Sequence, residues 1–158
     1  MVGGGNRYNL RLPSLVCFAM STVQELFEEG LKRYEAGEPV ASLLPVFKEV
    51  AEKQPRSGPA LTCLAWLYLL NNQAPLAVKH AKQAAKLAPA DAQAHVNLAL
   101  ALLEAKQPGV REIVERARQV LAVSPDQAEE VQKNCRDGLV RRPDWKALQK
   151  VQQWLFEE

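Results

Sequence analysis

The stretch LTCLAWLYLLNNQAPLAVKHAKQAAKLAP, from Leu61 to Pro89, sets alanine at 65, 77, 81 and 84 and stops on a proline. Alanine favours helix but buries little surface. A helix that uses alanine where leucine would fit does so because another backbone must come close. The stretch reads as two helices joined by the turn NNQAP, with Pro75 at the start of the second, where its missing N–H costs least.

Working outward, the pattern repeats. Pro55, Pro89 and Pro125 each close an apolar helical run, at spacings of 34 and 36 residues. Inside each unit a second mark, AGEP at 36–39, NNQAP at 71–75 and AKQP at 105–108, places a proline where a new helix begins. Each unit is therefore helix, turn, helix, proline, and self-similarity at this period marks a stacked helical array. No run alternates with period two, so no strand is expected.

The unit from Gly58 to Asp91 resembles the tetratricopeptide repeat (TPR) family. Leu64, Ala65 and Tyr68 fall at its first-helix positions, Ala77, Ala81 and Ala84 at its second-helix positions, and Pro89 at its closing proline. The alanines are then spacers, at the crossing of the paired helices and where the next repeat packs. The chain departs from the pattern at Leu61, where tryptophan is frequent, and at Ala81, where a large aromatic is common. It departs again at Ile113 and Val120, where alanines are usual. The first unit keeps Gly30 and Gly37 seven apart, as the family's pair is. The resemblance implies an all-α, right-handed superhelix (solenoid) of antiparallel helix pairs over residues 20–126, divided as 20–56, 57–90 and 91–126.

Two flanks complete the chain. Residues 127–158 carry two more helical signals, the first ending at Gly138 as a C-cap. The second has Trp145, Leu148, Val151, Trp154 and Leu155 along one stripe. They are expected to cap the solenoid, whose end would otherwise expose apolar surface. Residues 1–19 open on a glycine triplet and lack helical periodicity. They are expected to be a flexible tail or an upstream extension, with the folded part starting near Met20 and its Thr22–Glu25 capping box.

Charge and chemistry narrow the function. The net charge is +2, and Arg7 and Arg11 are the only charges before Met20, so the body from Met20 onward sums to zero. That balance gives no electrostatic reason to expect nucleic acid. No apolar run nears the roughly eighteen residues that would span a bilayer. Cysteines at 17, 63 and 135 follow no pattern, which suits reduced thiols in the cytoplasm. His80 and His95 fall on different helices with no motif around either, so no catalytic residue, metal ligand or cofactor is expected. Two basic features remain. Lys79, Lys82 and Lys86 form a stripe with no acid between Gly58 and Ala90, and Arg136, Arg141, Arg142 and Lys146 cluster at Trp145.

In the TPR family the first helices line a concave face that binds peptides or helices. The resemblance places Phe27, Leu31 and Tyr34, then Trp66, Leu69 and Leu70, then Val96, Leu100 and Leu103 on that face. The resulting groove is apolar. Positions that hold a carboxylate clamp in many chaperone-binding members are Leu, Trp and Val here. The expected function is a non-enzymatic adaptor, assembly factor or chaperone-like holder that takes a partner protein's peptide or amphipathic helix. The alternative is a structural or homo-oligomeric building block whose groove is filled by its own last helix; an RNA-binding repeat is a third reading.

Overall fold

The computed structural model describes residues 22–157, and every regular element in that span is a helix. They are α1 (residues 22–35), α2 (Val40–Lys53), α3 (Gly58–Leu70) and α4 (Ala74–Leu87). Then follow α5 (Ala92–Glu104), α6 (Val110–Val123), α7 (Pro125–Arg141) and α8 (Lys146–Phe156). The pairs α1/α2, α3/α4 and α5/α6 stack in chain order as an all-α solenoid, as expected from the period. The expected tail at 1–19, with Cys17, lies outside the described residues.

The repeat is visible in the backbone of its turns. After α1, α3 and α5 the second residue beyond the helix is left-handed: Gly37 at φ +85°, Asn72 at +58° and Lys106 at +56°. In each turn the next N–H reaches back five residues, from Glu38 to Arg33 O, Gln73 to Tyr68 O and Gln107 to Leu102 O, at 2.9–3.1 Å. The left-handed residue itself bonds three residues back. This double closure uses up carbonyls that the helix end leaves unpaired. Lys106 adopts the geometry without glycine, so the turn is imposed by its place in the array.

The helix starts repeat as well. Ser57 Oγ accepts from Ala60 N, Asp91 Oδ1 from Gln93 N and Ser124 Oγ from Gln127 N, capping α3, α5 and α7. Two proline marks sit differently from expectation. Pro125 is the first residue of α7, because Ser124 ends α6 and caps α7 at once. α6 starts at Val110, two residues after Pro108, because Gly109 at φ +102° turns the chain first. Pro45 lies inside α2, which runs through it.

The alanines are fully enclosed. Ala65, Ala77, Ala81 and Ala84 have no exposed surface, and Ala84 packs with Leu61 and with Ala94 of the following pair. Gly30 has a similar task in the first pair, where an added Cβ would come within 2.9 Å of the Phe47 ring.

The C-terminal pair departs from the sequence reading in two places. α7 does not end at Gly138 but continues to Arg141. Gly138 is there for close approach: a Cβ would lie 2.9 Å from the Trp66 ring and 3.0 Å from Leu148. Of the expected stripe, Trp145, Leu148, Val151 and Leu155 are buried, whereas Trp154 is 41% exposed and sits at its edge. Replacing Gly138 with alanine should lower unfolding free energy by about 1–3 kcal/mol. Urea denaturation reads this, and an unchanged midpoint would contradict the packing of α7 on Trp66.

Candidate protein-binding cleft

α7 lies against the first helices of the earlier pairs and is tied to them at both ends. At its start the Gln127 amide accepts from Ala92 N at 2.8 Å and donates to Ala90 O at 3.1 Å, beside the start of α5. Midway, a ladder of amides crosses the face. Asn134 donates to Gln93 Oε1, Gln93 to Asn97 Oδ1, and the fully buried Asn97 to Thr62 O in α3, at 2.8–3.0 Å. A buried amide left unpaired is costly, so the ladder fixes which helices sit side by side.

At its end, two successive arginines reach the C-termini of earlier helices. Arg141 donates to Tyr34 O at 2.7 Å and Glu38 O at 2.8 Å, and its guanidinium lies 4.2 Å from the centre of the Tyr34 ring. Arg142 donates to Leu69 O at 2.8 Å, pairs with Glu104 at 3.1 Å and stacks 4.4 Å over Trp145. Trp145 Nε1 also donates to the Glu104 carboxylate, and its ring packs 5.4 Å from that of Trp66. The negative ends of helix dipoles favour cations, and the planar guanidinium serves a carbonyl, a carboxylate and a ring together. Of the basic cluster at Trp145, Arg141 and Arg142 thus have internal partners.

Between α1, α3 and α7 a cleft of about 280 Å³ remains. Its walls are Leu31, Tyr34 and Glu35 from α1, Phe47 from α2, and Thr62, Cys63, Trp66 and Leu67 from α3. Gln93 and Asn97 form the floor, and Glu130, Lys133, Asn134 and Asp137 of α7 form the far side. Tyr34 OH accepts from Trp66 Nε1 at 2.9 Å, which holds both rings in place. Three carboxylates against one lysine give this cleft an acidic rim over an apolar interior.

The nine groove positions are distributed as follows. Leu31, Tyr34 and Trp66 line the cleft, with Leu31 36% exposed. Phe27 packs edge-on against Phe47, at 5.9 Å. Leu69, Leu70, Val96 and Leu100 are buried in the core, and Leu103 lines a separate groove with Val110, Val114 and Trp154. Helical periodicity missed the contribution of α7: Glu130, Lys133, Asn134 and Asp137 have no apolar signal. Their spacing of three and four, on one face of a helix, is the only trace they leave.

The groups with chemical potential are held quiet. Burial, with Asp91 and Glu130 adding to it, pushes the Cys63 thiol up to about 12, and burial pushes Cys135 up to about 11. His80 stacks on Tyr68 at 5.4 Å; burial first, then Lys79 and Lys48, hold its pKa below the ordinary value. His95 is buried with Nε2 2.8 Å from Pro89 O. Among the described residues no group of three or more His, Cys, Asp or Glu is arranged to hold a metal, and no helix is long and apolar enough to cross a membrane.

No protein-family model matches the chain, and no curated protein matches it. Among solved structures, the chain is similar to the type III secretion translocator chaperone SycD of Yersinia enterocolitica, in an alternative dimer form. The likeness has a TM-score of 0.60 at 15% identity and covers 80% of this chain and 96% of that one. It shows the fold: an all-α superhelix of antiparallel pairs, TPR-like.

Two outcomes follow from the geometry. Arg142→Ala should cost about 3 kcal/mol of stability, since it leaves the largely enclosed Glu104 carboxylate without its cation. Arg142→Lys should recover only part of that, because an ammonium cannot serve all three partners; equal stabilities in urea would contradict the arrangement. Cys63 and Cys135 should resist iodoacetamide at pH 8 in the native state and react in denaturant. With a pKa of about 12, only roughly one Cys63 in ten thousand is thiolate there. Peptide mass spectrometry checks this, and rapid native labelling of Cys63 would show an open, solvated cleft wall.

Proposed function

We propose that the protein is a non-enzymatic protein-interaction module, a cytosolic adaptor or chaperone-like holder, that takes a segment of a partner protein in the cleft between α1, α3 and α7. The observation that carries this reading is the cleft itself. It offers an apolar interior at Leu31, Tyr34 and Trp66, a half-exposed leucine at its mouth, and a floor of amides already paired to one another. A fixed floor and fixed aromatic walls lower the ordering cost of binding. An amphipathic segment fits such a site by its apolar edge. The acidic rim of Glu35, Glu130 and Asp137 favours a segment with basic residues on its flanks. The likeness to a translocator chaperone supports a holder of protein segments.

A second reading has its own observation. Gly138 and Trp145 already cover the Trp66 ring, so part of the predicted groove is filled by this chain's own C-terminal pair. In that reading the protein is a structural or self-associating block with nothing to hold.

One variant separates the two. Leu31 is exposed enough to change without harm to the core, unlike Leu100, which is wholly enclosed. Burying a leucine contributes roughly 1.5–3 kcal/mol, so Leu31→Glu should weaken a cleft-bound partner by about tenfold to a hundredfold. Affinity capture from native extract with wild type and Leu31→Glu as baits, both checked by circular dichroism, should return a protein retained by the first alone. Identical returns from both baits would favour the self-filled reading.

A further inference from the structure

The lysine stripe of α4 is not used by the cleft, and it borders a second and larger hollow. A groove of about 770 Å³ runs between α4 and α6. Its apolar bed includes Leu98, Ile113, Val120 and Val123, the last 83% exposed. Lys82 and Lys86 stand on one bank and Arg116 on the other, and no carboxylate lines it. Arg116 is engaged by Glu112 at 2.7 Å in an exposed pair. Lys82 and Lys86 form no ion pair among the described residues. Lys79, also exposed, extends the stripe along α4 beyond the groove itself. The wall is also unsatisfied at one buried point, where His95 Nδ1 has no hydrogen-bond partner.

We infer that the α4–α6 groove is a second docking surface, for an acidic amphipathic segment of a protein whose apolar edge lies on Ile113 and Val120 and whose carboxylates meet Lys82 and Lys86. Complementarity of two kinds acts here at once. A bare basic surface would attract any polyanion, but here the cations flank an apolar bed rather than a flat polar face. Leaving Val123 and its neighbours in water is unfavourable, and the occupant that removes them from water must also answer two unpaired ammonium groups. The cleft has the opposite sign, with Glu35, Glu130 and Asp137 at its rim. A segment suited to one site is repelled by the other, so the two sites sort partners by charge.

The test is selection of random sixteen-residue displayed peptides on the full-length protein at low salt. Enriched peptides are then measured by fluorescence anisotropy against three proteins: wild type, Lys82→Glu/Lys86→Glu and Leu31→Glu. Both lysines are exposed, so the double variant keeps its fold, which circular dichroism checks. The expected result is enrichment of sequences that combine Asp or Glu with Leu, Ile or Phe. They should bind at least tenfold more weakly to the lysine variant, more weakly at high salt, and equally well to Leu31→Glu. No enrichment, enrichment of neutral or basic sequences, or indifference to the lysine change would each overturn the inference. So would loss of binding on Leu31→Glu, which would move the peptides to the cleft. A sixteen-residue RNA that binds more tightly than any peptide and is lost on the lysine change would overturn it in favour of nucleic acid.

Discussion

The C-terminal ends of α1, α3 and α5 converge on one corner of the chain, and the shape of the molecule depends on how that corner is filled. α1, α3 and α5 all end there, each with its last turn closed by a left-handed residue, at Gly37, Asn72 and Lys106. The α7–α8 corner supplies Arg141 to the end of α1 and Arg142 to the end of α3. Glu104, at the end of α5, receives Arg142 and Trp145 together. Stacked repeats contact only their neighbours, so a three-pair array has little to fix its overall curvature. A link from the fourth unit back to the first, 107 residues earlier, supplies that constraint.

The cleft is a consequence of the same link. Gly138 lets α7 approach Trp66, the amide ladder sets its register, and Arg141 holds its far end at Tyr34. The face is thereby covered on the α5 side and left open towards α1. Trp66 mediates between the two regions: its edge meets Gly138 and Trp145 while its indole N–H holds the Tyr34 hydroxyl at the cleft wall. A partner bound beside Leu31 would therefore rest on a wall set by the protein's own last helices. The surface built from α4 and α6 has the opposite charge and lies apart from the cleft walls, meeting α7 at its start through Gln127.

Much of the fold was legible in the sequence because the repeat writes itself in residues with few alternatives. Prolines at near-constant spacing mark the helix boundaries, and alanines at 65, 77, 81 and 84 mark where helices come close. The cleft was half legible. Leu31, Tyr34 and Trp66 carry an apolar signal, while Glu130, Lys133, Asn134 and Asp137 look like any solvated helix face. The corner was not legible. Arg141, Arg142 and Trp145 read as a basic cluster with an aromatic, and nothing in linear spacing announces that carbonyls at Tyr34 and Leu69 will meet them. Gly138 was misread for a related reason: a glycine near a helix end has two uses, and only the position of Trp66 decides between them. Lys106 shows the converse, a left-handed residue with no compositional mark, held by the back-bonds of its own turn to Leu103 O and Leu102 O.

The distance between nitroxide labels at Glu35 and Val140, both exposed, measured by double electron–electron resonance, tests this account most directly. If α7 is clamped across the face by its arginines, the labels should give one short, narrow distribution. That distribution should broaden and lengthen when Arg141 and Arg142 are both replaced by alanine. A broad distribution in the otherwise unaltered protein, or a narrow one indifferent to the loss of both arginines, would mean that the corner does not set the cleft.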